Sequence, residues 1–307
     1  MTDALVLDNV RKSFGDFVAV DGVSLRVPRG TIYGFLGPNG AGKTTTIRMM
    51  MSIFYPDAGS ISILGEPNSE RIKDRIGYLP EEKGLYKEMK VGHLVAYFGR
   101  LKGMSKTDAR TKGDALLKRY GLGDWIGAKC KALSKGMAQK VQILFTLLHE
   151  PELVILDEPF SGLDPMNTEI VRDLILQLKR DGKTVLFSTH VMEQAEQICD
   201  RVVLINRGRV VLDGTTTAVR STGGRTVQVD YDGDGAVLKS LTGVTRVNDS
   251  GQHAEIVLGA GCDSEDILQQ LVGKVRIRRF DTREASLHEV FVRAVGSDTA
   301  SHGGAHG

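Results

Sequence analysis

The stretch Thr31-Ile-Tyr-Gly-Phe-Leu-Gly37-Pro-Asn-Gly-Ala-Gly-Lys43-Thr44-Thr45 decides how the rest of the chain is read. Its first half is apolar and strand-like, its middle is a glycine-rich turn, and residues 43–54 carry a helical pattern. Gly37 to Thr44 fits G-x-x-x-x-G-K-T in the strand–turn–helix context that gives this pattern its meaning. The glycines let successive backbone N–H groups turn inward as an anion nest, and the helix N-terminus adds positive partial charge. Lys43 brings a full charge to the β- and γ-phosphates of a nucleotide, and the Thr44 hydroxyl is a ligand for Mg²⁺. Gly37, Pro38, Asn39, Gly40, Ala41, Gly42, Lys43, Thr44 and Thr45 are therefore the candidate ATP-binding residues.

Around this loop, residues 5–10, 23–27, 61–64 and 76–79 read as further strands. From about residue 88 to 150 strand signals vanish, and HLVAYFGRLKG, DALLKRYGL and KVQILFTLLHE carry helical patterns that Pro151 closes. Alternation then resumes: an apolar strand at 153–156, a helix striped by Ile170, Leu174 and Leu178, and strands at 184–188 and 202–205. This predicts an α/β fold, a parallel sheet flanked by helices and interrupted by an all-helical insertion, within a domain over 1–220. After Ser221-Thr-Gly-Gly-Arg225 the pattern becomes strand, helix, strand, helix, strand, which predicts a small α+β domain at 225–296, loosely ferredoxin-like. The last residues, 297–307, are rich in Gly, Ser and His and read as a disordered tail.

The second half of the nucleotide site is Leu153-Val-Ile-Leu-Asp157-Glu158. A buried apolar strand delivers two acids at its C-terminal end, where open α/β sheets bind ligands. Asp157 is the candidate Mg²⁺ ligand, and Glu158 the candidate base that orients and deprotonates the attacking water.

In their order along the chain these motifs resemble the nucleotide-binding domain of ABC transporters, over about residues 4–217. Leu133-Ser-Lys-Gly-Met-Ala-Gln139 resembles the ABC signature, Ser161-Gly-Leu-Asp164 the loop after the catalytic glutamate, and His190 the switch histidine. The resemblance implies a phosphate-loop NTPase core with the ABC-type helical insertion, and roles for single residues. Ser134 and Gly136 would offer a hydroxyl and backbone N–H groups to a γ-phosphate held by a second subunit, His190 would contact that phosphate, and Phe14 would stack on adenine. Two motifs depart from the family pattern. Lys135 and Met137 stand where LSGGQ has glycine and glutamine, and Glu81 stands where a glutamine is usual, as an oxygen ligand toward Mg²⁺ or the lytic water. Both departures resemble a bacterial exporter subgroup that includes sodium-extruding ATPases.

The implied function is the ATP-hydrolysing subunit of an ABC transporter. It would bind Mg·ATP at the interface of a homodimer, or of a pair with a second ATP-binding subunit, and power a separate membrane permease, in the direction of export. Composition fits that picture. The chain has 307 residues, 25% of them charged, and a net charge of +2, which gives no electrostatic case for nucleic acid. No apolar run reaches the roughly 18 residues of a membrane span, and the start lacks the order of a signal peptide. The expected location is the cytoplasm, at the inner face of the membrane through the permease. Cys130, Cys199 and Cys262 are too widely spaced for a metal motif. Two alternatives stand beside this reading. One is a degenerate regulatory subunit, favoured by Glu81, Lys135 and Met137 and opposed by Glu158 and His190. The other is an ABC ATPase acting on the ribosome or DNA, opposed by the single set of motifs and the lack of sustained heptads.

Overall fold

The computed structural model describes residues 3–67, 70–81, 84–259 and 261–301. The chain folds as two compact units, divided after Gly214.

The first unit opens with a hairpin, β1 (Asp3–Phe14) and β2 (Phe17–Pro28), followed by β3 (Ile32–Leu36) and α1 (Lys43–Met50). Strands β4 (Ala58–Ile63), β5 (Glu66–Pro67) and β6 (Ile76–Leu79) lead to the helical insertion. The insertion holds α2 (Val91–Leu101), α3 (Lys106–Arg119) and α4 (Lys135–Leu147), inside the expected span. Then come β7 (Leu153–Asp157), α5 (Pro165–Arg180), β8 (Thr184–Thr189), α6 (Met192–Ile198), β9 (Arg201–Asn206) and β10 (Arg209–Thr215).

Two sheets result. An antiparallel one runs β2-β1-β4-β5, and a six-stranded one runs β10-β9-β3-β8-β7-β6. In the second sheet β9, β3, β8, β7 and β6 pair in parallel, so their C-terminal ends share one edge. Every residue of β3, β7 and β8 is buried, which is why each reads as a continuous apolar run and not as an alternation. Tyr33, Phe35, Ile47, Met49, Ile155 and Leu186 belong to the core that joins the two sheets.

In the insertion, Ser105 caps α3 by accepting from the Asp108 N–H (3.0 Å), and Ser134 caps α4 by accepting from the Met137 N–H (3.2 Å). Phe98 of α2 stacks on Phe145 of α4 with centroids 3.9 Å apart, which ties the two helices together. Two expectations shift by small amounts. Helix α1 stops at Met50 because Ser52 takes a left-handed conformation, φ +53°. The buried stripe of α5 is Val171, Leu174, Ile175 and Leu178, with Ile170 half-buried at its margin.

The first unit ends at Gly214, six residues before the expected end of its domain at 220, and the second begins at Thr215. It holds α7 (Thr216–Ser221), β11 (Arg225–Asp232), a 3₁₀ turn (Gly235–Ser240), β12 (Val244–Asp249), β13 (His253–Leu258), α8 (Ser264–Leu271), β14 (Arg276–Glu284) and α9 (Leu287–Ser301). The antiparallel sheet order is β12-β13-β11-β14, around a core that includes Val227, Val229, Tyr231, Ile256, Ile267 and Leu271. This is the split βαβ arrangement of ferredoxin-like folds, with a 3₁₀ turn replacing the first helix. Residues 297–301 of the expected tail are helical, as the end of α9, and 302–307 lie outside the described residues.

Candidate functional site

Four chain reversals meet at the shared edge of the parallel sheet. The glycine-rich loop follows β3, Glu81 follows β6, Asp157 and Glu158 end β7, and His190 follows β8. Gly42 caps α1 at φ +100°, and a Cβ there would lie 2.5 Å from the Ala19 carbonyl oxygen, so only glycine permits this entry to the helix. The Gly37 N–H donates to the Thr189 carbonyl (3.4 Å), tying the loop to the end of β8.

The Lys43 side chain is buried and folds back over its own loop. Its ammonium donates to the carbonyls of Gly37 (2.7 Å) and Pro38 (3.2 Å) and lies 3.6 Å from a Glu158 carboxylate oxygen. The Glu158 carboxylate, 5% exposed, also meets His190, whose Nδ1 lies 3.0 Å from Oε1 and 3.1 Å from Oε2. Glu158 itself is left-handed at φ +49°, an uncommon backbone state for a residue with a long side chain.

Asp157 is fully buried. Its Oδ1 accepts from the Ser188 hydroxyl (2.5 Å) and lies 3.5 Å from the Thr44 hydroxyl. Its Oδ2 is buried with no hydrogen-bond partner among the described residues. Burial raises the Asp157 pKa, the hydrogen bonds from Ser188 and Thr44 work against that rise, and the negative charges of Glu81 and Glu158 add to it. An unpaired carboxylate oxygen beside a hydroxyl is a hard-oxygen donor set, which fits Mg²⁺. Nucleotide phosphates and water would complete its shell.

A cleft of about 310 Å³ lies over the loop, lined by Phe17, Ala19, residues 39–45, Glu81 and Glu158. It gathers seven of the nine loop residues read from the sequence; Gly37 and Pro38 stand behind them as acceptors for Lys43. Phe14 is not in the lining. It packs edge-on against Phe54 with centroids 5.4 Å apart, and Phe17, its partner across the hairpin, is the aromatic residue that lines the cleft. The β1–β2 register that decides between them is invisible in the sequence.

Ser134 and Gly136 do not line this cleft either. They begin α4, where Ser134 is the N-cap, and where a Cβ on Gly136 would lie 1.9 Å from Asn167 Oδ1. Asn167 is fixed by two hydrogen bonds to Asp164, backbone N–H to Oδ1 at 2.8 Å and Nδ2 to Oδ2 at 2.7 Å. The start of α4 is thereby packed on the start of α5. Ser188, whose hydroxyl touches both acids, was not singled out in the sequence, because nothing local marks it.

Fold and site together define a phosphate-loop protein, with the loop and the two acids at the carboxyl edge of its parallel sheet. A family model described as "ABC transporter" matches residues 20–161, and one described as "ATP-binding protein DrrA1-3-like, C-terminal domain" matches residues 214–295. An uncharacterised ABC transporter ATP-binding protein of Bacillus subtilis (strain 168) is 41% identical over 95% of this chain and 99% of its own length. The Nod factor export ATP-binding protein I of Burkholderia lata is 36% identical over 94% of this chain and 96% of its own. Among solved structures, cbiO1 from Clostridium perfringens, part of the ABC transporter complex cbiONQ, matches with a TM-score of 0.66 and 27% identity, over 71% of this chain and 91% of that one. The chain belongs to the ABC transporter ATP-binding proteins. It binds ATP and is an ATPase.

Proposed function

We propose that two copies of this chain close head to tail around two molecules of Mg·ATP and power export through a separate permease at the inner face of the cell membrane. One observation carries the pairing. The cleft that holds Lys43, Thr44 and Glu158 is lined by no residue of the 133–139 stretch of the same chain, so those groups are available to a partner's nucleotide. A separate permease is supported by the similarity to ABC transporter ATP-binding proteins over nearly their whole length. Export is supported by the similarity to the Nod factor export protein and by the match to the DrrA1-3-like C-terminal domain.

The chemistry assigned to the residues follows from their contacts. Phosphate oxygens would replace the Gly37 and Pro38 carbonyls as acceptors for the Lys43 ammonium, leaving that charge on the β- and γ-phosphates. Asp157 and Thr44 would hold Mg²⁺, which neutralises phosphate charge when bound. Glu158 would accept a proton from the attacking water, and His190 fixes that carboxylate through Nδ1. Glu81 lines the same cleft and would face the Mg²⁺ shell or the water. Phe17 takes the place proposed for Phe14 beside the nucleotide. These paired acids also argue against the regulatory alternative, since a site that only binds nucleotide has no need of the Glu158–His190 contact.

The test is a mixing experiment. Lys43→Ala empties a chain's own site, and Ser134→Arg obstructs its neighbour's. Heterodimers isolated through two different tags should recover ATPase activity when each chain carries one lesion, because one loop and one facing signature remain intact. Heterodimers of wild type with the double mutant should be inactive, because each of their two sites carries one lesion. The reverse ranking, or equal activity in both, would overturn the pairing.

A further inference from the structure

Strands β7 and β8 pair in parallel with Asp157 directly opposite Ser188. The Ser188 side chain is fully buried, and its single hydroxyl meets both acids. It donates to Asp157 Oδ1 at 2.5 Å and accepts from the Glu158 backbone N–H at 3.0 Å. A hydroxyl carries one proton and two lone pairs. The Glu158 N–H needs an acceptor and the Asp157 carboxylate needs a donor, so the direction of the Ser188 proton is fixed by its two neighbours.

Two consequences follow. With Oδ1 engaged by Ser188, the Asp157 carboxylate presents Oδ2, the oxygen that has no partner among the described residues. At Glu158 the chain leaves the ladder in a left-handed turn, and Ser188 supplies the acceptor that a neighbouring strand would otherwise give to its N–H. The two residues after Ser188 serve the same edge. The Thr189 carbonyl accepts from the Gly37 N–H, and His190 holds the Glu158 carboxylate.

We infer that Ser188 is a positioning residue of the ATPase, whose one hydroxyl sets the Asp157 carboxylate for Mg²⁺ and holds the Glu158 turn that aims the base. This rests on the roles assigned to Asp157 and Glu158 above, and it predicts that metal dependence and turnover fail together while nucleotide binding as such survives.

Ser188→Ala removes the oxygen and adds no bulk. In the full-length protein, mant-ATP affinity in EDTA should stay within about twofold of wild type, because the loop and Lys43 are untouched. The Mg²⁺ concentration that half-saturates the Mg²⁺-dependent change in mant-ATP binding should rise, and kcat should fall by about tenfold or more, as expected for losing a hydrogen bond to a charged group. Ser188→Thr keeps the hydroxyl and should restore both, and thermal unfolding of each variant confirms that it is folded. A wild-type Mg²⁺ midpoint and kcat in Ser188→Ala would overturn the assignment. So would an equal loss of binding in EDTA, which would mark Ser188 as a general structural residue. Glu158→Gln run in parallel separates the two readings. If it is inactive while Ser188→Ala is normal, only the positioning role fails; if Glu158→Gln turns over normally, the assignment of the base fails.

Discussion

Glu158 sits in a backbone state that costs an L-residue on the order of 1 kcal/mol or more, and it is surrounded by the groups a base needs. Lys43 and His190 both face its carboxylate, and Ser188 holds its N–H. Glu158→Gln keeps the shape and loses the proton acceptor. It should bind mant-ATP like wild type and lose steady-state phosphate release by about two orders of magnitude or more. Turnover within a few-fold of wild type would move the base elsewhere. The acids themselves were legible in the sequence, because an apolar strand ending in Asp-Glu fixes their spacing covalently. Their contacts were not. Ser188 meets Asp157 only through the register of β7 on β8, His190 follows that strand's end, and the hairpin puts Phe17, not Phe14, in the lining of the cleft. Residue types announce chemistry, while pairing between strands decides who touches whom.

At the junction between α4 and β7, His149 shows how an element boundary responds to acid. Its Nε2–H donates to the Ile76 carbonyl of β6 (3.0 Å), which leaves Nδ1 as the acceptor side of a neutral ring, buried and without a partner among the described residues. Burial pushes the His149 pKa below the usual histidine value, only partly opposed by the hydrogen bond to Ile76. The folded state therefore resists a proton that the unfolded chain accepts near pH 6.5. The stability due to the neutral ring is full above that value and is lost as pH falls toward the lower folded pKa. Urea midpoints measured between about pH 7.5 and about pH 5 should decline for wild type and decline less for His149→Gln, which keeps a donor for Ile76. Parallel declines would assign the acid sensitivity to other groups. At this scale the fold was well written in the sequence where strands are buried on both faces, as in β3, β7 and β8. Strand β12 escaped because Val244 and Val247 are only half-buried and its other residues are exposed, so no clear alternation marks it. Helix α9 runs into a segment whose composition reads as a tail.

For the molecule as a whole, each unit has a hydrophobic core of its own, one built from residues 4–205 and the other from 227–271. The nucleotide cleft, both acids and the α4 N-terminus all lie in the first. A chain ending at Gly224 should therefore unfold cooperatively and bind mant-ATP with an affinity within a few-fold of the full-length protein. Loss of binding in a truncation that still melts cooperatively would show that the second unit supports the site directly.

The separation of the α4 start from the cleft of its own chain has a bearing on the energy economy of the cell. Under the proposed pairing a solitary copy holds half a catalytic centre, so its consumption of ATP is second order in its own abundance. Specific activity in dilute solution should climb with protein concentration and level off once pairs predominate. Copies made in excess of their membrane partner, and too sparse to meet one another, would leave the nucleotide pool untouched; a permease that gathers two of them raises their local concentration and thereby acts as the ignition of the machine.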